Sequence, residues 1–116
     1  MQDGDESVTS PEMLRPLIIR SIRRSNVRKK IADYLFDISP SGSYTSEIAY
    51  NVKTTPTNVI GAIRGMDSRY RSDESLISLN IVEQINGGKR NDIKIYKLTD
   101  FGKEIIESLK DNRRRF

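Results

Sequence analysis

The stretch TSEIAYNVKTTPTNVIGAIRGM, residues 45–66, contains two apolar patterns separated by a short polar segment. In each half, apolar residues recur every three to four positions, which is the spacing of one buried stripe on an α-helix. Thr45 and Thr55 can cap the two helices, and Pro56 follows Thr55 at a position where the missing N–H of proline is tolerated. The stretch is therefore predicted to form two short helices joined by a tight turn.

The side of the second helix opposite its stripe is polar or nearly bare. It is predicted to carry Thr57, Asn58, Gly61, Arg64 and Gly65. A helix presented in this way, after a short helix and a tight turn, is typical of the DNA-reading helix of a helix-turn-helix. The two glycines either let DNA approach the backbone or let a neighbouring helix pack closely. Each of them needs a reason, because a glycine inside a helix costs up to about 1 kcal/mol relative to alanine.

Charge is distributed unevenly along the 116 residues. Lys and Arg number 20 and Asp and Glu number 16, which gives a net charge of +4. Four of the acidic residues precede the first basic one, so residues 13–116 carry 20 basic and 12 acidic side chains, a balance of +8. A basic domain behind an acidic tail favours a polyanionic partner, although the same charge could simply keep a small domain in solution.

The chain lacks both cysteine and histidine. Disulfides, thiolate nucleophiles and the commonest general base and metal ligand are therefore absent, and no catalytic site, metal site or cofactor is expected. No apolar run approaches the roughly 20 residues of a membrane span. Since the N-terminus is acidic where a signal peptide is basic, a cytoplasmic protein without membrane contact is expected.

Residues 1–12 are predicted to form an acidic disordered tail, and residues 13–116 one domain with flanking helices at 13–24 and 100–112. A further helix follows the cap at Ser25 and Asn26 and ends near Asp37. Residues 72–75 are predicted to be a loop. Alternating residues predict strands at 81–85 and 93–98, and the basic, glycine-containing segment 86–92 joins them as a β-hairpin.

The first helical region leaves alternatives open. Its apolar stripe favours a dimer contact over packing within the domain and consists of Met13, Leu14, Leu17, Ile18 and Ile22. Seven basic residues without an acidic one lie between positions 15 and 30: Arg15, Arg20, Arg23, Arg24, Arg28, Lys29 and Lys30. They either contact DNA phosphates or form a solvated helix face, and for any single one of them the solvated face is favoured.

From Ser25 to about Leu109 the chain resembles the winged-helix family, and more narrowly it is similar to small archaeal winged-helix transcription regulators. The resemblance is carried by Ser46-Glu47-Ile48-Ala49 and Val59-Ile60-Gly61-Ala62-Ile63 in the two helices, by Leu79-Asn80-Ile81-Val82-Glu83 at the entry to the hairpin and by Tyr96-Lys97-Leu98-Thr99-Asp100-Phe101-Gly102 at its exit. Asn80 replaces the usual glycine, and asparagine also tolerates a left-handed backbone. Thr99 is expected to cap the last helix, and Gly102 to let that helix pass close to its neighbour.

The resemblance implies a mainly helical α+β fold, a winged helix-turn-helix with a three-helix core, a β-hairpin wing and extra N- and C-terminal helices. A recognition helix at about 55–69 would lie in the major groove of double-stranded DNA, with the wing, 86–92, on the minor groove or backbone. Such proteins are often homodimers, here through the N- and/or C-terminal helices. The candidate DNA-contacting residues are Thr45, Ser46, Thr55, Thr57, Asn58, Gly61, Arg64, Arg69, Lys89, Arg90 and Asn91.

Within this set, Thr57, Asn58 and Arg64 are expected to contact base edges, since asparagine can pair with adenine and arginine with guanine. The backbone N–H groups at Thr45 and Ser46 would favour a phosphate. The alternative function is a winged-helix protein-interaction module in a larger assembly, without direct DNA binding.

Overall fold

Helices dominate the computed structural model, which describes residues 11–66, 70–87 and 93–114. Over these residues the chain forms five α-helices and three β-strands in the order α1 (Pro11–Arg24), α2 (Asn26–Ile38), β1 (Ser43–Tyr44), α3 (Thr45–Val52), α4 (Pro56–Arg64), a 3-10 turn (Ser72–Glu74), β2 (Val82–Gly87), β3 (Ile93–Leu98) and α5 (Asp100–Arg114). The expected mainly helical α+β class is confirmed. Within these ranges, no helix has the length and apolar character needed to cross a bilayer.

The three strands form one small antiparallel sheet in the order β1–β3–β2. The hairpin runs in register from the pair Val82–Leu98 to the pair Gly87–Ile93, so both strands lie close to their predicted positions. Val82, Tyr96 and Leu98 are buried on the inner face of the sheet. This pattern confirms the alternation that the sequence predicts, because successive side chains of a strand point to opposite faces.

The core lies between α2 and the two short helices that follow it. Ile31 and Leu35 of α2 are fully buried, as are Ile48 of α3 and Val59 and Ile63 of α4. Helix α2 packs against both α3 and α4, and those two helices pack against each other. The apolar stripes at three-to-four residue spacing therefore meet in one common interior, which fixes the position of α4 relative to the sheet.

The helix caps agree with the sequence at two positions and differ at a third. Ser25 caps α2, and the Oγ1 of Thr55 caps α4 by accepting a hydrogen bond from the N–H of Asn58 at 3.1 Å. The prediction that Thr45 caps α3 is wrong, because Thr45 is already the first helical residue and the N-cap is Tyr44, which makes no side-chain cap hydrogen bond. Since Tyr44 is paired with β3 as a strand residue, the chain passes from strand to helix without a separate capping residue.

Helix α1 begins at Pro11, continues through Pro16 and packs on its own domain. Ile18 is fully buried there, so the preference for a dimer contact over packing within the domain is wrong for that residue. Two other members of the predicted stripe are exposed, Met13 by 51% and Leu17 by 38%. The apolar stripe of α1 is thus divided between the core and an outer edge.

The junction between the hairpin and α5 is tightly connected, as the Thr99-to-Gly102 pattern predicts. The Oγ1 of Thr99 accepts a hydrogen bond from the N–H of Gly102 at 2.8 Å and donates one to the carbonyl oxygen of Asn80 at 2.6 Å. A Cβ at Gly102 would lie only 2.2 Å from the carbonyl oxygen of Ile81. The expectations that Thr99 caps α5 and that Gly102 permits a close approach are therefore confirmed.

Asn80 has a φ of 62°, in the left-handed region. We expect Asn80→Ala to lower the free energy of unfolding by about 1 kcal/mol, because a Cβ without a side-chain polar group disfavours this conformation. Asn80→Gly should leave stability unchanged or raise it slightly, since glycine adopts positive φ freely. Urea unfolding of the two variants measures the difference, and equal stability of both would contradict the argument from backbone conformation.

Candidate nucleic-acid interface

Helices α3 and α4 are joined by a turn of three residues, Lys53–Thr55. Helix α3 ends where Lys53 adopts a left-handed φ of 61°, and the N–H of Thr54 then donates to the carbonyl oxygen of Ala49 at 2.9 Å. This left-handed ending redirects the chain sharply. Thr55 next caps α4, with Pro56 in the first helical turn. The predicted pair of helices with a tight polar turn is confirmed in these details.

The outer face of α4 carries Thr57, Ile60 and Arg64, all of them exposed. Residues three and seven positions apart lie on the same side of an α-helix, so the three side chains form one row. Arg64 makes no ion pair with any of the residues that the structure describes. The row therefore presents a hydroxyl, an aliphatic group and a guanidinium with its donors available to a ligand.

Ile60 was not among the candidates from the sequence. Val59 and Ile63 already account for the buried side of α4, which leaves Ile60 as an apolar residue off the stripe. It is 38% exposed. An aliphatic side chain on a helix that faces a major groove can contact the C5 methyl group of thymine. The signal was therefore present in the sequence, as an isoleucine outside the helical period of its neighbours.

Asn58 is half-buried at the start of α4. Its Nδ2 donates a hydrogen bond to the Oγ1 of Thr54 at 3.0 Å, and its backbone N–H is used by the Thr55 cap. The side chain is thus tethered to the turn between the helices, with its second amide hydrogen and its carbonyl oxygen left for a base edge. Both Thr55 and Thr57 are exposed beside it.

The two glycines of this region lie against the segment that follows α4, which neither of the two predicted reasons describes. Gly61 is buried, and a Cβ there would lie 2.5 Å from the Cδ2 of the Tyr70 ring. Gly65 has a φ of 90°, and a Cβ there would lie 2.7 Å from the Cα of Ser72. Both residues therefore make room for the loop that follows α4, rather than for DNA or for another helix.

The N-terminus of α3 is less open to a phosphate than the sequence indicates. Ser46 is exposed and Thr45 is half-buried. Glu47, however, lies in the first turn and accepts a hydrogen bond from the hydroxyl of Ser43. A carboxylate near the helix N-terminus already complements the helix dipole and repels a second anion.

Several candidate residues fall outside the described ranges. These are Arg69 after α4 and Lys89, Arg90 and Asn91 in the predicted loop between β2 and β3. The described part of the hairpin ends with the pair Gly87–Ile93.

Two exposed residues near the turn were missed. Tyr50, in the last turn of α3, is 83% exposed, and Lys53 is exposed in the turn itself. Tyr50 lies outside the buried set of Ile48, Ala49 and Val52, so its position on the outer side could have been inferred from the helical period.

A second group of charged residues lies where the end of α1 and the start of α2 meet the 3-10 turn, and the sequence did not predict it. Glu74, in the predicted loop, is only 4% exposed. Its carboxylate oxygens lie 3.1 Å from the Nη1 of Arg24, 3.5 Å from the Nη1 of Arg28 and 3.6 Å from the Nε of Arg20. The hydroxyl of Ser21 donates to the carbonyl oxygen of Glu74 at 2.7 Å. We call Arg20, Arg24, Arg28 and Glu74 the arginine–glutamate cluster.

This cluster changes the interpretation of the seven basic residues between positions 15 and 30. Arg28 is 3% exposed, so neither a solvated face nor a contact with the phosphates of DNA describes it. Arg15 donates to the hydroxyl of Ser108 at 3.0 Å, and Lys29 forms an ion pair with Asp33 at 3.3 Å. Arg23 and Lys30 are exposed, as the solvated-face interpretation expects.

Burial lowers the pKa of the Arg28 guanidinium, and the nearby Glu74 carboxylate opposes this shift. At the surface, the Arg71 guanidinium donates hydrogen bonds to Asp73 and so lowers the pKa of that carboxyl group. The stabilisation from this exposed pair is therefore present above the unfolded-state pKa of Asp73 and is lost as the pH falls through the folded-state value. No group of acidic side chains in the described ranges could hold a metal ion.

Comparison with known proteins identifies the relatives of the chain. Residues 18–109 match the model of a family described as EarA-like. An uncharacterized protein of the archaeon Methanocaldococcus jannaschii is 49% identical over 96 residues, which cover 83% of this chain and 84% of that protein. No solved structure matches the chain at a comparable level of significance. With its match extending from α1 to α5, the chain belongs to the EarA-like family.

Proposed function

We propose that the protein is a winged-helix transcription regulator that binds double-stranded DNA, with α4 in the major groove and the segment 86–92 on the minor groove or backbone. The observation that carries the proposal is the outer face of α4. This helix is capped, follows a three-residue turn and presents Thr57, Ile60 and Arg64 in one exposed row. These side chains match what a base edge offers, which is hydrogen-bond donors and acceptors together with a thymine methyl group.

The order of elements supports the same function. Three helices, α2 to α4, precede an antiparallel hairpin whose second strand also pairs with β1. A basic balance of 20 positive to 12 negative residues over positions 13–116 provides long-range attraction to a polyanion. The cation Lys53 lies exposed in the turn next to α4, where it could contact a phosphate.

The test is binding of the full chain to duplex DNA over a range of salt concentrations, followed by selection of a preferred site from a random pool. We expect measurable binding at low salt, a linear fall of log K with log salt concentration, and enrichment of one sequence. No binding at low salt would overturn the proposal. Binding without any enriched sequence would leave a DNA-binding protein that does not act as a sequence-specific regulator.

Exposed apolar residues favour a second candidate, a protein-interaction module without direct DNA binding. Tyr50 is 83% exposed on α3. Tyr44, Ile85 and Ile93 are exposed on the sheet, where Tyr44 and Ile85 flank Ile95 on neighbouring strands. A contiguous apolar patch of this kind often marks a protein-binding surface. The absence of DNA binding, together with a protein partner lost on Tyr50→Ser, would support this alternative.

The proposed regulator acts as a homodimer. Met13 and Leu17 of α1 are exposed at 51% and 38% and offer an apolar contact to a second copy. Helix α5, at the C-terminal end of the domain, is the other helix expected to form the dimer contact. Light scattering of the full chain tests this point. A monomer at the concentrations that bind DNA would exclude a dimer from the mechanism.

Arg64→Ala is expected to weaken binding to the selected site by about 1–3 kcal/mol, the value of one good bidentate contact with a base. Binding to random DNA should fall much less. Arg64→Lys keeps the charge but not the planar pair of donors, so it should resemble Arg64→Ala on the selected site and the wild type on random DNA. Lys103→Ala, an exposed change on α5, is the control for lost charge. Equal losses on both DNAs would make Arg64 a phosphate contact only.

Lys89→Ala combined with Arg90→Ala should weaken binding to all sequences alike. Each cation that neutralises a phosphate adds about 0.9 to the slope of log K against log salt concentration. The double variant should therefore reduce the slope by about 2 if both side chains contact the backbone. The slope is measured by fluorescence anisotropy on random duplex DNA, and an unchanged slope would remove these two residues from the interface.

A further inference from the structure

A cavity of about 450 Å³ lies between the start of α2 and the segment 70–74. The residues that line it are Arg24, Ser25, Asn26, Val27, Arg28, Tyr70, Arg71 and Glu74. The volume falls in the range of small-molecule sites, about 300–1,000 Å³. The cavity is separate from the exposed row on α4 and has no part in the DNA-binding proposal.

The charge around the cavity is positive. The arginine–glutamate cluster contributes Arg20, Arg24 and Arg28 against the single carboxylate of Glu74. Arg71 is added at the rim and is paired with Asp73 at 3.2 Å. Of these charged side chains, three arginines and the carboxylate of Glu74 line the cavity itself, which leaves a surplus of two positive charges in its wall. Guanidinium groups bind carboxylate and phosphate oxygens in a planar, two-pronged geometry.

The N-terminus of α2 adds backbone donors to the same wall. The first N–H groups of an α-helix have no partner within the helix. The hydroxyl oxygen of Ser25 accepts a hydrogen bond from the N–H of Arg28 at 3.1 Å. Asn26 and Val27, the first two residues of the helix, line the cavity. Helix α2 has 13 residues, so its dipole favours an anion at this end.

Arg28 contributes a buried guanidinium to the cavity wall. It is 97% removed from solvent, and among the described residues its Nε has no hydrogen-bond partner. Its Nη1 donates a long hydrogen bond of 3.4 Å to the carbonyl oxygen of Ser21, and its guanidinium carbon lies 5.6 Å from the centre of the Tyr70 ring. A buried donor without an acceptor costs free energy, and this one belongs to a side chain in the cavity wall.

We propose that this cavity is a binding site for a small oxyanion of the phosphate class. Arg24 and Arg71 would hold the oxygens from the open side, and the N–H groups of Asn26 and Val27 would donate from the helix end. Arg28 would add positive charge from the interior. The ligand is a freely diffusing anion. A phosphate of the DNA backbone has the same oxygens, and the experiment separates the two sources.

The test is a titration of the ¹⁵N-labelled full chain with inorganic phosphate against chloride at constant ionic strength, followed by NMR. We expect saturable shifts at the amides of Asn26, Val27 and Tyr70. Arg24→Gln and Arg71→Gln should each weaken the apparent Kd about tenfold or more, as the loss of a charge-assisted hydrogen bond does. Arg23→Gln, an exposed change on the same turn of α1 that does not line the cavity, should leave the Kd unchanged.

Three results would overturn the proposal. The first is a shift that rises linearly with phosphate without saturation. The second is an equal loss of affinity in Arg23→Gln, which would mean that general positive charge and not this cavity attracts the anion. The third is displacement of bound phosphate by random duplex DNA, which would assign the site to the DNA backbone.

Discussion

Replacing Glu74 by glutamine is expected to lower the free energy of unfolding by about 3 kcal/mol, the low end for removing one partner of a buried ion pair. Glutamine has nearly the same size, so the change removes charge and little else. In the wild-type protein, the Glu74 carboxylate lies within 3.6 Å of three arginines, and one of them, Arg28, is itself buried. Without the carboxylate, the Arg28 charge would remain in the interior with no counter-ion.

The measurement is urea unfolding followed by circular dichroism, in a chloride buffer that contains no phosphate. Asp73→Asn is the matched control, because it removes a neighbouring carboxylate whose pair with Arg71 is exposed on both sides. That variant should unfold at nearly the wild-type urea concentration, since exposed ion pairs contribute little. If Glu74→Gln were equally mild, the arginines would have to be stabilised by water and not by Glu74.

Gly102→Ala is expected to destabilise the fold by about 3 kcal/mol, at the upper end of ordinary overpacking. The added Cβ would lie 2.2 Å from the carbonyl oxygen of Ile81, and that oxygen cannot swing aside because it accepts the N–H of Thr99 at 3.0 Å. Relief of the clash would require α5 to move away from Ile81, the residue that precedes β2. The Thr99 cap and the packing of α5 would be weakened together.

Helix propensity acts in the opposite direction here and makes the sign of the result informative. Alanine is favoured over glycine in a helix by up to about 1 kcal/mol, so a net loss shows that the clash exceeds this gain. The adjacent change Lys103→Ala, at an exposed position of the same helical turn, should have almost no effect. Thermal unfolding of the two variants decides the point, and a more stable Gly102→Ala would mean that the helix shifts at no cost.

Features whose cause is local could be predicted from the sequence. Thr55 followed by proline marks the start of α4, and Thr99 marks the start of α5, because a cap needs only a hydroxyl and the next three residues. The strands of the hairpin follow from alternation within each segment. The outward positions of Thr57 and Arg64 follow from the helical period of their own helix.

The features that could not be predicted depend on residues far apart in the chain. Glu74 meets arginines that lie about fifty positions earlier, and no local pattern distinguishes it from a solvated loop residue. The reason for Gly61 is the ring of Tyr70, and the reason for Gly65 is the backbone at Ser72. A glycine signals that space is limited, but it does not identify the neighbour that takes the space.

In the proposed DNA complex, the short length of α4 would restrict how much of the DNA sequence one copy can read. With nine residues and a rise of 1.5 Å per residue, the helix is about 13 Å long. Placed in the major groove as proposed, it would span about four base pairs. A given sequence of four base pairs recurs by chance roughly once in every 256 positions. That is far too often to distinguish one promoter from competing sites. A second copy on an adjacent half-site would double the number of base pairs recognised and make the combined sequence rare. Selectivity in a genome would therefore require at least two such helices acting together.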